Sequence, residues 1–265
     1  MKRGPVLKSM ISLGSQNDFI RAIFSLVENR VPSYVCFANV HMLVEANKDK
    51  AFQKIINEAD VVAPDGKPVS VFLRLSQRIR QERVCGMDIF PVLLQKAEEF
   101  GKSVYFYGTT DILLRRIVEK TRARFPLLRI AGYHSPPFKS SLSEEESSYI
   151  VGKIREASPD LVFVALGCPK QEKWMAKNKD GVRACLLGLG QAFHVYAGTE
   201  KRLPGWMRDF ALEWMYRLWQ DPARLWKRYA LTNSYFLVLV VKHLMHQVIV
   251  RIMSLSSRRS RAQGI

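Results

Sequence analysis

The sequence predicts an α/β protein with a mostly parallel sheet, flanking helices and a C-terminal amphipathic helical appendage. Up to about residue 200, short β-branched runs alternate with amphipathic stretches, the pattern of parallel strands joined by crossover helices. The chain has 265 residues, 48% of them hydrophobic, which is enough to bury a sizeable core. Beyond residue 200, basic residues and tryptophans become concentrated. We therefore expect a core domain over residues 1–200 and an appendage over residues 201–265.

Five strands and three helices can be placed from the residue pattern. Short apolar runs bounded by polar residues or glycine predict strands at residues 34–38, 61–63, 103–107, 161–165 and 183–187. Helical spacing of apolar residues occurs over residues 89–100, 111–125 and 143–157. The last of these helices begins with Ser143 and three glutamates, which is typical of a capping box. A helix start is therefore a better interpretation of these glutamates than a metal site.

The net charge is +17, with 41 lysines and arginines against 24 acidic residues. This charge predicts anionic partners, namely nucleic acid, anionic lipid or phosphorylated small molecules, and composition alone does not choose among them. The four cysteines are widely spaced with no Cys-x-x-Cys pair, which argues against a zinc ribbon or a disulfide framework and favours a reducing cytoplasm. Lys8 interrupts the N-terminal apolar stretch, so we expect no secretion signal.

The region from Lys201 onward carries twelve lysines and arginines against three acidic residues, together with four of the five tryptophans. Charged and polar side chains interrupt its longest apolar segment, residues 235–253, so a simple transmembrane helix is not expected. An amphipathic helix lying in an anionic membrane interface explains the pattern, and packing of its apolar face on the domain or on a second subunit explains it equally well. The apolar half comprises Leu237, Val241, Leu244, Met245, Val248 and Ile252, and the polar half comprises Lys242, His243, His246, Gln247 and Arg251.

Small or polar residues follow nearly every predicted strand. Ligands of α/β folds bind outside the carboxyl edge of the sheet, so these loops are the expected functional region. Glycine lets backbone amides approach a ligand closely, and amides at a helix start attract phosphate. Together the loops indicate a nucleotide-phosphate site. They are Ala38-Asn39, Pro64-Asp65-Gly66, Gly108-Thr109-Thr110-Asp111, Gly167-Cys168-Pro169-Lys170-Gln171 and Gly188-Leu189-Gly190-Gln191.

Several nucleotide-binding motifs are missing from the sequence. Phe193 stands where a dinucleotide fingerprint beginning at Gly188 needs its third glycine, and no Gly-x-x-x-x-Gly-Lys occurs, which disfavours a hydride-transfer enzyme and a P-loop ATPase. No two aspartates are separated by one residue, so the pair that commonly holds a divalent metal on a nucleotide diphosphate is also missing. We expect no metal site and no cofactor. Arginine, lysine and backbone amides would then meet the charge of a leaving group.

Six ordered motifs extend from about residue 34 to about residue 229. They are Asn39; Ala59-Asp60 leading to Pro64-Asp65-Gly66; Arg83-Val84-x-Gly86-x-Asp88; Gly167-x-Pro169-x-Gln171-Glu172; Gly188-x-Gly190 with Phe193 and Gly198; and Leu212-Glu213-Trp214-x-Tyr216-Arg217-Leu218 before Pro222-x-Arg224. Together they resemble the WecG/TagA/CpsF family of bacterial glycosyltransferases. The resemblance implies a Rossmann-like core that transfers a sugar from a nucleotide diphosphate sugar, such as a UDP-sugar, to a polyprenyl-diphosphate-linked sugar in polysaccharide biosynthesis. It also implies a peripheral enzyme at the cytoplasmic face of the bacterial inner membrane.

Asp65 is the candidate catalytic base. Attack of an acceptor hydroxyl on an anomeric carbon needs a base within hydrogen-bond reach, and a carboxylate in a tight turn at a strand end can be aimed at that point. The resemblance places the base of the family at this residue. Without the resemblance, stabilisation of its own turn would be the better explanation, since Asp before Gly often has that role. A single well-placed carboxylate predicts an inverting, single-displacement reaction.

Arg83 and Gln171 are candidates for the same site. Arg83 can bind a diphosphate bidentately, and its alternative is a surface ion pair with Asp88 or Glu82. Gln171 can reach donor hydroxyls from a helix start, although an exposed first-turn glutamine is the ordinary explanation. Similarity to the family favours the ligand role for both. We predict that Arg83 acts with Asp65 in catalysis, and that the donor nucleotide is bound by Asn39, Gly108, Thr109, Gly167, Gln171, Gly188 and Gly190.

Arg217, Arg224 and Arg228 resemble basic residues of the family that close over the active site and meet a diphosphate. Contacts with lipid headgroups explain them as well, and Lys227 competes with Arg228 for the last position. A tail that docks only at a membrane would couple activity to the location of a lipid substrate. We therefore predict these three arginines as an acceptor-diphosphate site or lid.

Three residues depart from the family pattern, so the sequence does not name the donor sugar. His194 stands where Asp is usual, Gln191 stands where Gly is usual, and Phe37 replaces a threonine that some members carry. Neither His41 nor His194 has a second histidine or cysteine at ligand spacing, and we assign no catalytic role to either.

A basic module that binds nucleic acid or another phosphate ligand without catalysis is the competing class of function. No recognisable nucleic-acid motif occurs, and the basic residues concentrate with tryptophans and long aliphatic side chains. The sequence therefore favours the glycosyltransferase and leaves open whether the chain forms a homo-oligomer.

Overall fold

The computed structural model describes residues 1–137, 139, 143–201, 213–220 and 222–262 of the chain. The strands in these residues are β1 (Arg3–Val6), β2 (Ser9–Ser12), β3 (Ser33–Ala38), β4 (Val61–Pro64), β5 (Val104–Gly108), β6 (Ile130–His134), β7 (Leu161–Ala165) and β8 (Cys185–Gly188). The helices are α1 (Gln16–Glu28), α2 (Val40–Lys48), α3 (Lys50–Glu58), α4 (Lys67–Gln77), α5 (Gly86–Glu99), α6 (Asp111–Arg124), α7 (Glu144–Ala157), α8 (Lys170–Val182), α9 (Ala192–Ala197), α10 (Glu213–Gln220) and α11 (Pro222–Ala262).

A six-stranded sheet with the order β4-β3-β8-β7-β5-β6 forms the centre of the fold. Every neighbouring pair in it is parallel, and the register sets Val35 beside both Val61 and Leu187. Helices cover both faces, so the inner strands are continuous apolar runs rather than alternating ones. The predicted α/β class with a mostly parallel sheet is therefore confirmed.

Two apolar layers, one on each face of the sheet, make up the core. One layer contains an aromatic cluster in which Phe90 packs against Phe163 and Phe193 at centroid distances of 5.0 and 5.4 Å. The other layer contains Tyr34, Phe72 and much of α2 and α3. The side chains of both layers are buried, as expected when helices cover both faces of a central sheet.

The strands that the sequence analysis missed lie at the periphery. The edge strand β6 is only partly buried and contains Gly132, so it lacks the continuous apolar run of an inner strand. The hairpin of β1 and β2 is antiparallel and separate from the main sheet. It is tied to the domain by Arg3, whose guanidinium donates to the carbonyl oxygens of Asn57 at 2.7 Å and Asp60 at 3.1 Å. Peripheral strands of this kind leave a weak signal in a single sequence.

The predicted capping box at Ser143 is confirmed. Ser143 Oγ accepts a hydrogen bond from the Glu146 backbone N–H at 3.1 Å, and Glu146 Oε2 accepts one from the Ser143 N–H at 2.9 Å. The strand predicted to begin at Arg183 begins instead at Cys185, because Arg183 has φ of +58° and ends α8. The remaining predicted bounds differ from the structure by at most three residues.

The long helix α11 lies against α2 and α4. Thr232 and Phe236 are buried there, Asn47 Nδ2 donates to the Tyr235 hydroxyl at 3.2 Å, and His243 packs on the ring of Phe72 at 5.1 Å. His243 belongs to the predicted polar half, so part of that half meets the domain, whereas Leu237, Val241 and Met245 of the predicted apolar half are exposed. The imidazole packs on the Phe72 ring as one aromatic ring on another.

The opposite side of α11 presents apolar side chains to solvent. Leu237, Val241 and Met245 are each more than half exposed, and their spacing of four residues places them on one face, away from Phe236. No described helix combines the length and the hydrophobicity needed to cross a membrane. Helix α11 therefore has one face docked on the domain and another, apolar face exposed to solvent.

Candidate active site

A cavity of about 320 Å³ lies at the carboxyl edge of the sheet, beside the ends of β3, β4, β7 and β8. This is the edge at which parallel α/β folds bind ligands. We call it the strand-end cavity. Among the residues predicted from sequence, its lining includes Asn39, Asp65, Arg83, Gly167, Gln171, Gly188 and Gly190.

Backbone hydrogen bonds fix the turn that carries Asp65. The Asp65 N–H donates to the Ala38 carbonyl at 3.0 Å, and the Val84 N–H donates to the Pro64 carbonyl at 2.9 Å. Gly66 follows with φ of +102°, and a Cβ there would meet no atom closer than 3.7 Å, so backbone conformation rather than crowding explains the glycine. The half-buried Asp65 is therefore presented at the strand-end cavity on a turn held from both sides.

Asp88 orients Arg83 at the cavity. Arg83 Nη2 lies 2.8 Å from Asp88 Oδ2, and the two side chains are only 15% and 20% exposed. The ion pair offered above as an alternative to ligand binding therefore exists, but it is not a surface pair. Asp88, in the first turn of α5, is not among the described lining residues, so it holds Arg83 without occupying the cavity. A partly buried pair is screened less by salt than an exposed one, which favours a fixed guanidinium position.

Asn39 caps α2 at the edge of the cavity. Its Oδ1 accepts a hydrogen bond from the Met42 N–H at 3.1 Å, which satisfies one of the unpaired amides of the helix start. Because the carbonyl oxygen is engaged in this way, the side-chain amide nitrogen is the group that Asn39 can offer to a ligand.

Gln171 is buried in the first turn of α8, which excludes the exposed glutamine considered above. Its Nε2 donates to Glu172 Oε1 at 2.6 Å and to the Gly188 carbonyl at 3.2 Å. Glu172 is fully buried, and this burial raises the pKa of its carboxyl to about 7, against hydrogen bonds that lower it. A polar pair therefore lies beneath the cavity, with one member in its lining.

Gly188 and Gly190 make room for the Gln171 side chain. A Cβ on Gly188 would lie 2.8 Å from Met175 Cε and 3.0 Å from Gln171 Nε2. Gly190 has φ of +51°, and its N–H donates to the Val164 carbonyl at 3.2 Å. The glycine loop after β8 thus shapes the cavity by letting a buried amide lie close to the backbone.

Gly108 and Thr109 lie outside the described lining of the strand-end cavity. A Cβ on Gly108 would come within 2.4 Å of the Ala165 carbonyl oxygen, so the glycine is needed for the close approach of β5 and β7. Thr109 donates its N–H to the same oxygen at 2.9 Å, and its own carbonyl accepts from Ser135 Oγ at 2.6 Å. Backbone packing therefore accounts for both residues.

The structure adds four polar residues to the lining that sequence reasoning left out, His41, Lys67, Thr232 and Asn233. Lys67 directly follows the Pro64-Asp65-Gly66 turn, so its position after a strand was an available signal. The two residues of α11 left no such signal, because nothing in the sequence shows that this helix returns to the sheet edge. Within the described part of the chain, no group of three or more His, Cys, Asp or Glu side chains could hold a metal ion.

The three predicted tail arginines fall in the helices after residue 212. Arg217 belongs to α10, and Arg224 and Arg228 precede Thr232 on α11 by two turns and one turn. Their side chains lie outside the described part of the structure. Their predicted role stays a prediction.

Comparison with known proteins places the chain in a family. Residues 5–248 match the model of the glycosyl transferase WecG/TagA/CpsF family. The chain belongs to this family. It is therefore a glycosyltransferase, as the resemblance implied.

Curated relatives carry the name N-acetylglucosaminyldiphosphoundecaprenol N-acetyl-beta-D-mannosaminyltransferase. The protein from Bacillus spizizenii is 35% identical over 212 residues, covering 80% of this chain and 79% of the relative. The Bacillus subtilis protein is 33% identical over 213 residues, covering 78% and 80%. A Staphylococcus aureus protein is 27% identical over 199 residues, covering 74% and 73%.

Two of the three departures from the family pattern line the strand-end cavity, namely Phe37 and Gln191. Gln191 Nε2 also donates to a Glu200 carboxylate oxygen. His194 lies outside the described lining, and its carbonyl accepts from Thr199 Oγ1 at 3.1 Å. We therefore expect Phe37 and Gln191, rather than His194, to be the positions at which ligand preference differs between this chain and other members of the family.

Proposed function

We propose that the protein transfers an N-acetylhexosaminyl group from a UDP-sugar to N-acetylglucosaminyl diphosphoundecaprenol, with inversion at the anomeric carbon. The names of the relatives support this acceptor and make N-acetylmannosamine the first sugar to test. The observation that carries the proposal is the convergence of Asp65, Arg83 and Gln171 on one cavity at the carboxyl edge of the sheet.

In this proposal Asp65 acts as the base. Its carboxylate accepts the proton of the acceptor hydroxyl while the hydroxyl oxygen forms a bond to the anomeric carbon. The bond between that carbon and the diphosphate oxygen breaks on the opposite face, and its electron pair leaves with the nucleoside diphosphate. One carboxylate is sufficient for this single displacement, and Asp65 is the only carboxylate in the described lining.

Positive side chains would meet the charge that develops on the leaving group. Arg83 and Lys67 both line the strand-end cavity, and Arg83 can bind two phosphate oxygens at once. We propose that Arg217, Arg224 and Arg228 add to this charge when the tail is seated over the site. The backbone N–H groups of the glycine loops would add hydrogen bonds to the phosphate oxygens, although they carry no net charge.

A donor screen tests the proposed function. UDP-N-acetylmannosamine, UDP-N-acetylglucosamine and UDP-glucose would each be offered with a short-chain polyprenyl diphosphate carrying N-acetylglucosamine, and released UDP would be measured. We expect turnover with at least one N-acetylated donor and dependence on the acceptor. Absence of turnover with every pair would favour a phosphate-ligand-binding module instead.

We also propose that α11 brings the protein to an anionic membrane surface. The apolar face formed by Leu237, Val241 and Met245 is exposed although the helix is docked on the domain, and basic residues follow it in the sequence. A lipid-linked acceptor makes this the favoured use of that face. A second copy of the chain is the alternative occupant.

Matched double variants test the membrane proposal. Leu237→Gln with Met245→Gln should weaken flotation with phosphatidylglycerol vesicles by at least about tenfold, because each side chain contributes about 1.5–3 kcal/mol when fully buried. Ile112→Gln with Leu127→Gln removes apolar side chains that are at least as exposed, but lie on the surface of residues 1–200, and should leave flotation unchanged. Unchanged flotation of the first variant, with loss of a dimer in analytical ultracentrifugation, would assign the face to a second subunit.

A further inference from the structure

Glu172 is a fully buried carboxyl group for which the proposed reaction has no use. One of its oxygens, Oε1, accepts the hydrogen bond from Gln171 Nε2. The other, Oε2, has no nitrogen or oxygen donor, and the weakly donating Cys168 thiol lies beside the carboxyl group. Burying a carboxyl group with an unsatisfied oxygen opposes folding. Residues that lower stability in this way are expected mainly where function requires them. The position of Glu172 beneath a lining residue therefore calls for a functional explanation.

The two hydrogen bonds of Gln171 fix the orientation of its amide. Nε2 carries two N–H groups, and both are used, one on Glu172 Oε1 at 2.6 Å and one on the Gly188 carbonyl at 3.2 Å. While Glu172 is ionised, the opposite orientation would place Gln171 Oε1 against these two acceptor oxygens and would lose both bonds. The amide is thus held in one of its two orientations.

The remaining polar atom of this amide, Gln171 Oε1, is buried and has no hydrogen-bond partner. It lies next to Gly190, where the position of an added Cβ is 3.4 Å from Oε1 and 3.9 Å from Nε2. Gln171 and Gly190 both line the strand-end cavity. The oxygen is therefore a buried acceptor beside the lining, and a ligand that enters the cavity against Gly190 can supply the hydrogen-bond donor that it lacks.

We propose that Glu172 is a positioning residue, which holds the Gln171 amide so that its Oε1 accepts a hydrogen bond from an N–H or O–H group of the bound nucleotide sugar. The inference rests on the proposed function. A diphosphate offers only acceptor oxygens at neutral pH, so Gln171 does not read that part of the donor. The group that it reads is a sugar hydroxyl, the N–H of an acetamido substituent or the imide N–H of the base.

The main test replaces Glu172 by methionine, which is similar in length and apolar. Loss of the acceptor oxygen frees the Gln171 amide to rotate, so the dissociation constant for UDP-N-acetylmannosamine should rise about tenfold, as expected for one lost hydrogen bond. The melting temperature should stay within about 4 °C of that of the parent protein, because removal of the buried carboxyl group offsets the hydrogen bond that the Gln171 amide loses. Glu172→Gln keeps an acceptor oxygen beside Gln171 and should bind the donor within about threefold of the parent protein.

The outcomes separate a positioning role from a structural one. A melting temperature lower by more than about 4 °C in Glu172→Met would overturn the inference, since it would show that the carboxyl group stabilises the fold. Equal donor affinity in this variant would also overturn it, as would affinity in Glu172→Gln as weak as in Glu172→Met. In a Gln171→Met background, the Glu172→Met exchange should change donor affinity less than about twofold, because Glu172 acts only through Gln171.

Parallel titrations with UDP locate the group that Gln171 reads. If the group belongs to the uridine, as a base N–H or a ribose hydroxyl, Glu172→Met weakens UDP and UDP-N-acetylmannosamine equally. If it belongs to the N-acetylmannosamine, only the second ligand is weakened. Failure of the unmodified protein to bind either ligand would contradict the proposed function. Binding by that protein with no difference in Glu172→Met would contradict only the role of Glu172.

Discussion

The carboxyl edge of the sheet has two halves that are alike in sequence and different in structure. In the half that contains the ends of β3, β4, β8 and β7, the loops after these strands surround the strand-end cavity. In the half beside β5, Gly108 is pressed against Ala165, and Thr109 donates its N–H to the same residue. Glycine followed by a polar residue therefore marks either a ligand site or a close backbone contact. Which of the two it marks depends on the neighbouring strand.

Strand order explains why the cavity lies in the first half. At the β3–β8 pair, strands far apart in sequence become neighbours, and the loops after them leave in different directions. At β5 the neighbours are β6 and β7, and Ser135 after β6 donates to the Thr109 carbonyl at 2.6 Å, which closes the edge. Helix α11 covers the half that contains the strand-end cavity, which we call the open half, and adds Thr232 and Asn233 to the lining.

Asp65→Asn tests catalysis in the half that contains the strand-end cavity, and it should produce the largest effect. The exchange keeps the shape of the turn and removes the base, so the turnover number should fall by about 10²–10⁴ while donor affinity changes little. Released UDP and donor titration would be measured on the same preparation.

Asp49→Asn is the matched control for this exchange. Asp49 caps α3 through the Ala51 and Phe52 amides, and asparagine can cap a helix equally well. Near-normal turnover in Asp65→Asn would exclude Asp65 as the base, and a similar loss in Asp49→Asn would point to a general effect on the fold.

Gly108→Ala tests the half beside β5, which we call the closed half. There we expect the stability of the fold to change and the affinity for the donor to stay the same. The new Cβ would overlap the Ala165 backbone, and φ of +113° adds strain, so the free energy of unfolding should fall by about 3 kcal/mol. In a chain of this size that is a drop of roughly 6–12 °C in melting temperature.

Gly101→Ala is the control for conformational strain alone. Gly101 has φ of +61°, and a Cβ there would meet no atom within 4 Å, so its cost should be smaller. If Gly108→Ala left stability intact and weakened donor binding, Gly108 would belong to the ligand site and the contrast between the two halves would fail.

The inner strands and the residues at their ends were predictable, because a buried parallel strand is a continuous apolar run and its carboxyl end carries the site. Asp65 was found in this way, with the family resemblance deciding between catalysis and local structure, whereas Arg83, between α4 and α5, was found from its loop and the resemblance. The burial of Gln171 was not predictable, since it depends on packing against Gly188 from a distant strand. Nor was the docking of α11, because the buried Phe236 and the exposed Leu237 are adjacent, equally apolar residues.

Phe236→Ala should disturb the open half selectively. Phe236 anchors α11 in the layer that contains Phe72, and removal of a buried phenylalanine side chain costs about 3–5 kcal/mol of local packing. Thr232 and Asn233 would then leave the cavity, and KM for the donor should rise by about five- to tenfold, the cost of one or two hydrogen bonds. Hydrogen exchange along α11 and steady-state kinetics would be measured together.

Leu237→Ala is the adjacent control, because this side chain is 63% exposed and makes no part of the docking face. It should leave both readouts unchanged in assays without membrane. Faster exchange of α11 in Phe236→Ala without any change in kinetics would show that the helix covers the cavity but contributes nothing to substrate binding.

Removal of divalent cations should have the smallest effect. A metal on a nucleotide diphosphate is usually held by one or two carboxylates besides the phosphates, and Asp65 is the only carboxylate in the described lining. Lys67 and Arg83 bring two positive charges to the same lining, and these oppose a cation and take over the neutralisation of the diphosphate. EDTA followed by desalting should therefore change the rate of UDP release by less than about twofold. Loss of activity that Mg²⁺ or Mn²⁺ restores would mean that Asp65 binds a metal rather than a proton, and the assignment of the base in the open half would have to be withdrawn.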